Sequence, residues 1–198
     1  MKGVVVCPQP RAADVGAAIL AKGGNAFDAA VATAFSQMVN DPFMCGIGGM
    51  GTLHYYRADE GRSGMVDFYN PAGSKVRPDM WQHDLKGRTE ISGYSLFDDY
   101  RSEIGYTSIM TPGTPAGFGL FHERHCSLPW AELLAPPIAQ AEEGMVVAPH
   151  LAGLWMRYRQ PGIPDGYTRL TKTAECARVY LHPEDRFYEV GEVMRLPD

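Results

Sequence analysis

Two segments of the chain hold residue types whose spacing invites chemistry. His122-Glu123-Arg124-His125-Cys126 sets two imidazoles three positions apart. On a helix such residues share a face, so both could touch one metal ion. A third ligand is missing from the pattern, and Arg124 adds like charge, so the segment reads as an exposed helix end. Cys45-Gly46-Ile47-Gly48-Gly49-Met50-Gly51 has the glycine density of an anion cradle, where bare backbone amides approach a phosphate. Dinucleotide loops follow a strand and open a helix. This one follows a helical pattern and opens a strand pattern. Gly46, Gly48 and Gly49 are therefore expected to form a tight turn close to neighbouring backbone.

The remaining reactive types are scattered. Nucleophile elbows need Gly-x-Ser-x-Gly, which is absent, and Ser63-Gly64 and Ser92-Gly93 read as turns. Nothing marks Cys7, Cys45, Cys126 or Cys176 as an activated thiol. Asp98-Asp99 and Glu142-Glu143 are adjacent pairs, which point to different sides of any regular element and are expected to be solvated. His54, His83, His150 and His182 stand alone. Taken unaided, the residues define no self-sufficient active site and call for no metal and no cofactor.

Alternating strands and compact helices must position whatever site exists. Val4 to Val6 is a β-branched run ended by Cys7-Pro8-Gln9-Pro10, expected as a strand entering a turn. A helix is predicted from about Arg11 to Lys22, stopped by Gly23-Gly24. Asn25 is a good N-cap for the next helix, and Asp28 puts negative charge in its first turn. That helix runs to Asn40-Asp41-Pro42, with small residues on nearly every face, as close packing on several sides demands. Thr52 to Arg57 and Met65 to Tyr69 read as a hairpin around the turn material 59–64. Residues 71–106 carry no assignable pattern. Further helices are predicted at 116–124, from Pro129 towards Gly144 with Leu133 and Leu134 on its apolar side, and at 148–158. Pro136-Pro137 is expected to kink or interrupt the second of these. Residues 161–166 read as a loop and the tail from Cys176 as short strand and turn. The fold class is α/β, an α+β layered arrangement, within a single domain over 1–198.

Composition narrows the function classes. A net charge of -5 with basic residues spread singly speaks against a nucleic-acid partner. No stretch approaches a membrane span. Four widely spaced cysteines without a CxxC pair favour a reducing compartment, hence the cytoplasm, with a periplasmic or secreted location the alternative if a leader has been removed.

Three segments together resemble the γ-glutamyltransferase family. The first runs from Ala12-Ala13-Asp14-Val15-Gly16 through Gly23-Gly24-Asn25-Ala26-Phe27-Asp28-Ala29-Ala30-Val31-Ala32. The second is Pro42 through Gly46-Ile47-Gly48-Gly49-Met50-Gly51, leading on to Val66-Asp67-Phe68. The third is Thr111-Pro112-Gly113-Thr114-Pro115-Ala116-Gly117-Phe118, followed by Leu128-Pro129-Trp130, Pro136-Pro137-Ile138-Ala139-Gln140-Ala141 and Glu143-Gly144-Met145-Val146-Val147. Order and spacing both match. In this setting Gly23, Gly24 and Asn25 are scaffold, closing one helix and capping the next.

The resemblance implies the N-terminal part of the large subunit of an N-terminal-nucleophile (Ntn) hydrolase, an αββα sandwich made by a self-cleaving precursor. It implies a nucleophilic threonine beyond Asp198, with its own α-amine as base, attacking a small-molecule amide. The partners implied are the remainder of the large subunit and the small subunit of the same precursor. No catalytic residue is then expected within 1–198, and the chain alone is expected to be inactive. One departure bears on substrate. Family members with γ-glutamyl specificity carry an arginine after the Asp-Phe of the hairpin's second strand, where a bidentate guanidinium clamps a carboxylate. Here the run is Asp67-Phe68-Tyr69-Asn70-Pro71, so Tyr69 and Asn70 stand as candidate substrate-binding residues without positive charge, unless Arg77 substitutes. Two alternatives stay open: a family amidase or acylase with a non-glutamyl substrate, and a non-catalytic structural or binding fragment.

Overall fold

The computed structural model describes residues 3–90, 92–157 and 162–196, with backbone alone for 155–157. Two compact units group the chain: Met1–Pro71 with Thr111–Met145, and Ala72–Met110 with Val146–Asp198.

The first unit begins with helix α1 (Pro10–Ala21), which has proline at its start, where no N–H is needed. Its end is a paired stop. Gly23 lies at φ 98, and the Gly23 and Gly24 N–H groups donate to Leu20 O and Ile19 O. Helix α2 (Ala26–Asn40) opens on a reciprocal cap. Asn25 Oδ1 accepts from the N–H groups of Phe27 and Asp28, and Asp28 Oδ2 accepts from Asn25 N–H at 2.7 Å. The two helices cross closely at Gly16, where a Cβ would sit 2.1 Å from Thr33 Oγ1. Strands β1 (Thr52–Arg57) and β2 (Arg62–Asp67) form an antiparallel hairpin, with Thr52 opposite Asp67 and Arg57 opposite Arg62. The turn is thus 58–61, shorter than the expected 59–64, because Arg62, Ser63 and Gly64 join the ladder. Helices α3 (Thr114–His125) and α4 (Trp130–Glu143) complete the unit.

Val15, Ile19, Val31, Val66, Phe118, Phe121 and Leu133 form its core, flanked by Phe27, Phe35, Leu53, Tyr55 and Phe68. The expected interruption at Pro136-Pro137 does not occur: both prolines lie inside one helix. Leu133 and Pro137 are buried, and Gln140 is held by Ser36 and Asn40 at its Oε1 and by Arg11 O at its Nε2. Packing on both sides of the prolines outweighs the two lost helical bonds. The strand expected at Val4 to Val6 does not pair with any described strand. Val5 lies against Gly16, while Val4 and Val6 are 88% and 90% exposed. A β-branched run becomes a strand only where a partner offers a ladder.

In the second unit, β3 (Gly87–Arg88) and β4 (Ser95–Leu96) make a short antiparallel pair. After β5 (Met145–Val146) come α5 (Pro149–Arg157), α6 (Gly166–Thr171), α7 (Ala174–Tyr180) and β6 (Val193–Met194). Phe97, Val147, Leu151, Ile163, Leu170, Leu181 and Met194 are buried here. The tail corrects its expectation: Cys176 to Tyr180 is helical, started by Thr173 Oγ1 accepting from Cys176 N–H. The C-terminal ends of the expected helix at 148–158 and the first residue of the expected loop at 161 fall outside the described residues. The whole is mixed helix and small two-stranded sheets, with no closed barrel among the described residues. No described helix is long and apolar enough to cross a membrane.

Candidate functional site

Three segments of the first unit meet around residues 49, 68–70 and 113. The glycine turn closes with Gly49 N–H donating to Gly46 O at 3.0 Å. A Cβ on Gly49 would stand 2.9 Å from Gly46 O, so the close approach requires glycine there. Gly46 and Gly48 face no neighbour that a Cβ would meet. Gly49 O then accepts from the N–H groups of Gly113 and Thr114, at 3.1 and 3.2 Å, tying the turn to the start of α3.

The second strand runs into the same place. Phe68 N–H donates to Gly51 O, continuing the hairpin one step beyond its named ends. The ring of Phe68 fills space left by glycines: Cβ atoms on Gly51 and Gly117 would lie 3.0 and 2.3 Å from it. The Phe118 ring packs against it at a tilt, with ring centres 5.4 Å apart. Alternation then turns Tyr69 outward, 62% exposed, and Asn70 inward, buried. Tyr69 N–H donates to Asp67 Oδ1, Asn70 Oδ1 accepts from Gly113 N–H at 2.9 Å, and Pro71 O accepts from Thr111 N–H. The loop therefore presents an uncharged phenol beside one carboxylate. Arg77 belongs to the second unit, where it pairs with Asp79 at 3.6 Å.

The other candidates are occupied by packing. His122 Nε2 bonds Leu128 O at 2.8 Å. His125 corrects the expectation of an exposed helix end: its ring sits among Phe27, Tyr55 and Phe121, and both ring nitrogens are buried without a partner. Burial, then Arg57 and Arg124, hold its pKa below the ordinary histidine value. No three ligand-type side chains gather around a metal-sized site among the described residues. Burial pushes the Cys126 thiol up to about 12 and, with Asp41, the Cys45 thiol up to about 11. Such thiols are poor nucleophiles. Asp98 pairs with exposed Lys86 and Asp99 with Arg101. Phe68, Gly113 and Gly117, which build the loop assembly, carry no chemical signal of their own. Their trace in the sequence is their place in the segments 66–68 and 111–118 that carry the family resemblance.

This architecture, helices packed on a small hairpin, has counterparts among solved structures. The Helicobacter pylori gamma-glutamyltranspeptidase structure superposes with a TM-score of 0.82 at 26% identity, covering 98% of this chain and 51% of that one. The family sequence model described as Gamma-glutamyltranspeptidase matches residues 12–198, and the chain belongs to that family. Among curated relatives, it is 38% identical over 151 residues to the Acylase ACY 1 proenzyme of Pseudomonas sp. (strain V22), covering 76% of this chain and 26% of the relative. It is also 38% identical over 146 residues to the Glutathione hydrolase proenzyme of Pseudomonas aeruginosa, covering 74% and 24%. The chain thus spans about a quarter of the length of the curated relatives it matches.

Proposed function

We propose that residues 1–198 form the N-terminal part of the large subunit of a self-cleaving amidohydrolase. The complete protein cleaves γ-glutamyl or related amides and passes the acyl group to water or an amine. The observation that carries this reading is the family match over residues 12–198; two relatives named as proenzymes support the precursor. The nucleophile is a threonine beyond Asp198, exposed as a new N-terminus. Its α-amine takes the hydroxyl proton as Oγ attacks the amide carbon, then returns it to the departing amine. The resulting ester is opened by water or an acceptor amine. Residues 1–198 act as one incomplete domain in that machine, contribute the Tyr69 loop to substrate binding, and are inactive alone. The four unpaired cysteines support a reducing, cytoplasmic setting.

A second reading within the family, an acylase acting on a non-glutamyl amide, is favoured by one observation. Tyr69 is exposed and neutral, and the family resemblance puts it at the position of the carboxylate-clamping arginine of γ-glutamyl members. Expression of the full-length gene product, followed by a denaturing gel, intact mass and sequencing of any new N-terminus, tests the first claim. Cleavage ahead of a threonine is expected. Turnover of γ-glutamyl anilide against neutral acyl anilides then separates the two substrate classes. A folded product that stays in one piece would move the chain to the non-catalytic, binding class.

A further inference from the structure

We propose that Asn70 is a positioning residue: its side-chain oxygen, held by Gly113 N–H, sets the place of Tyr69 at the mouth of the hairpin. The inference rests on the reading that this loop meets substrate. The hairpin ladder gives out after Phe68, whose N–H bonds Gly51 O. Tyr69 N–H turns back onto Asp67 within the same loop, which shapes the tip but does not anchor it. Asn70 provides the side-chain anchor, next to the backbone tie from Thr111 N–H to Pro71 O. It is buried, and its Oδ1 accepts from Gly113 N–H at 2.9 Å. That same N–H reaches Gly49 O at 3.1 Å, so a single donor draws together the glycine turn, the Tyr69 loop and the start of α3.

The joint has a steric condition as well as a hydrogen bond. A Cβ at residue 113 would stand 2.2 Å from Phe68 O, so only glycine lets the loop come close enough. A side-chain oxygen at the reach of Asn70 suits the other side, because an amide or carboxylate oxygen can accept from that N–H. Phe68 inward, Tyr69 outward and Asn70 inward make a fixed keel on both sides of one exposed phenol. Removing the Asn70 oxygen leaves the chemistry elsewhere untouched but lets the phenol wander.

The test uses the full-length precursor as wild type, Asn70→Ala and Asn70→Asp, the last keeping an acceptor oxygen at the same reach. All three are expected to cleave themselves. Asn70→Ala is expected to raise KM for the best amide about tenfold, the scale of one buried hydrogen bond left unmade, with kcat within about twofold. Asn70→Asp restores KM. Hydrogen exchange over 67–71 and 111–114 quickens in Asn70→Ala and returns in Asn70→Asp. Where Asn70→Ala does not accumulate, Asn70→Gln, whose amide sits one methylene too far, replaces it. Unchanged KM and exchange in Asn70→Ala, or losses in Asn70→Asp as deep as those in Asn70→Ala, overturn the assignment. If the wild type neither cleaves itself nor hydrolyses any amide, the functional reading fails separately. The exchange measurement then decides the anchor: quickened exchange sustains it and unchanged exchange overturns it.

Discussion

The two units of this chain are held by different means. In the first, four helices of 12 to 15 residues and a hairpin bury a continuous apolar cluster. Its fully buried carboxylate is answered there: Asp28 accepts from Asn25 N–H, Ser127 N–H, Ser127 Oγ and Leu128 N–H. In the second, strands span two residues and two of the helices span six and seven. Elements that short cannot form alone. They are braced at the rim by ion pairs such as Arg169–Glu103 and Arg186–Glu192. Long amphipathic elements let apolar burial specify the fold; short ones depend on turns, caps and charges. Exposed ion pairs such as Arg11–Glu143 and Arg57–Asp59 occur in the first unit too, but a larger apolar cluster stands behind them. The second unit should therefore respond to salt more than the first.

The largest effect expected from breaking this contrast lies at Asp28. Burial alone would raise its carboxyl, but the Ser127 hydroxyl and the N–H groups of Leu128, Asn25 and Ser127 outweigh burial and hold it below the ordinary 3.8. Its fastening is complete above that pH and is lost only as acid protonates it from below. Asp28→Ala leaves four donors without their acceptor, one at the α1–α2 junction and three at the link from α3 to α4. A loss of about 3 kcal/mol is expected in denaturant unfolding of the full-length precursor, unchanged by salt. An unfolding midpoint equal to wild type would mean the first unit does not rest on this carboxylate.

Asp28 also shows how much was legible in the sequence. Asn25 and Asp28 at cap spacing, and Gly23-Gly24 before them, announce the helix junction because capping is local chemistry. That Asp28 also holds Ser127 and Leu128 was not legible, since those residues lie 99 and 100 positions away. The same holds at the candidate site. Tyr69 and Asn70 were marked by resemblance, yet their opposite orientations follow from hairpin parity and from Gly113, 43 positions on. The second unit gave least. A seven-residue helix at 174–180 carries too few turns for a period, and only Thr173 hints at its start. Val4 to Val6 misled for the converse reason: strand composition is local, but a ladder is not.

An intermediate effect is expected at His125, whose two ring nitrogens are buried in the first unit without hydrogen-bond partners. Burial, then Arg57, Arg124 and Arg62, lower its pKa, and Glu60 opposes them. The folded state thus takes up a proton less readily than the unfolded chain, whose histidine titrates near 6.5. Stability is whole above that pH and declines as pH falls below it, by at most about 1.4 kcal/mol per pH unit, until the folded pKa is reached. His125→Phe fills the same aromatic surroundings without a titrating group. Urea midpoints at about pH 7.5 and pH 5.5 should diverge more for wild type than for the variant. Equal divergence would assign the acid response to other groups.

The smallest effect sharpens the other side of the comparison. Glu192 accepts from Arg186 Nη1 and Nη2 at 2.9 and 2.8 Å and from Glu189 N–H. The Arg186 guanidinium, with that N–H, lowers its carboxyl to about 2. Its contribution is therefore complete above the ordinary 4.5 and fades as pH falls towards the lowered value. The pair stands in solvent, where water and salt screen most of its Coulomb energy and two long side chains give up freedom to meet. Glu192→Gln should leave the unfolding midpoint of the precursor nearly in place. Its signature is local: hydrogen exchange over 181–194 quickens at low salt, and the difference from wild type vanishes at about 1 M salt, where the screening length falls to about 3 Å. If the difference persists at high salt, the second unit is held by burial as the first is. The contrast between them would then be one of element length and not of the forces that close them.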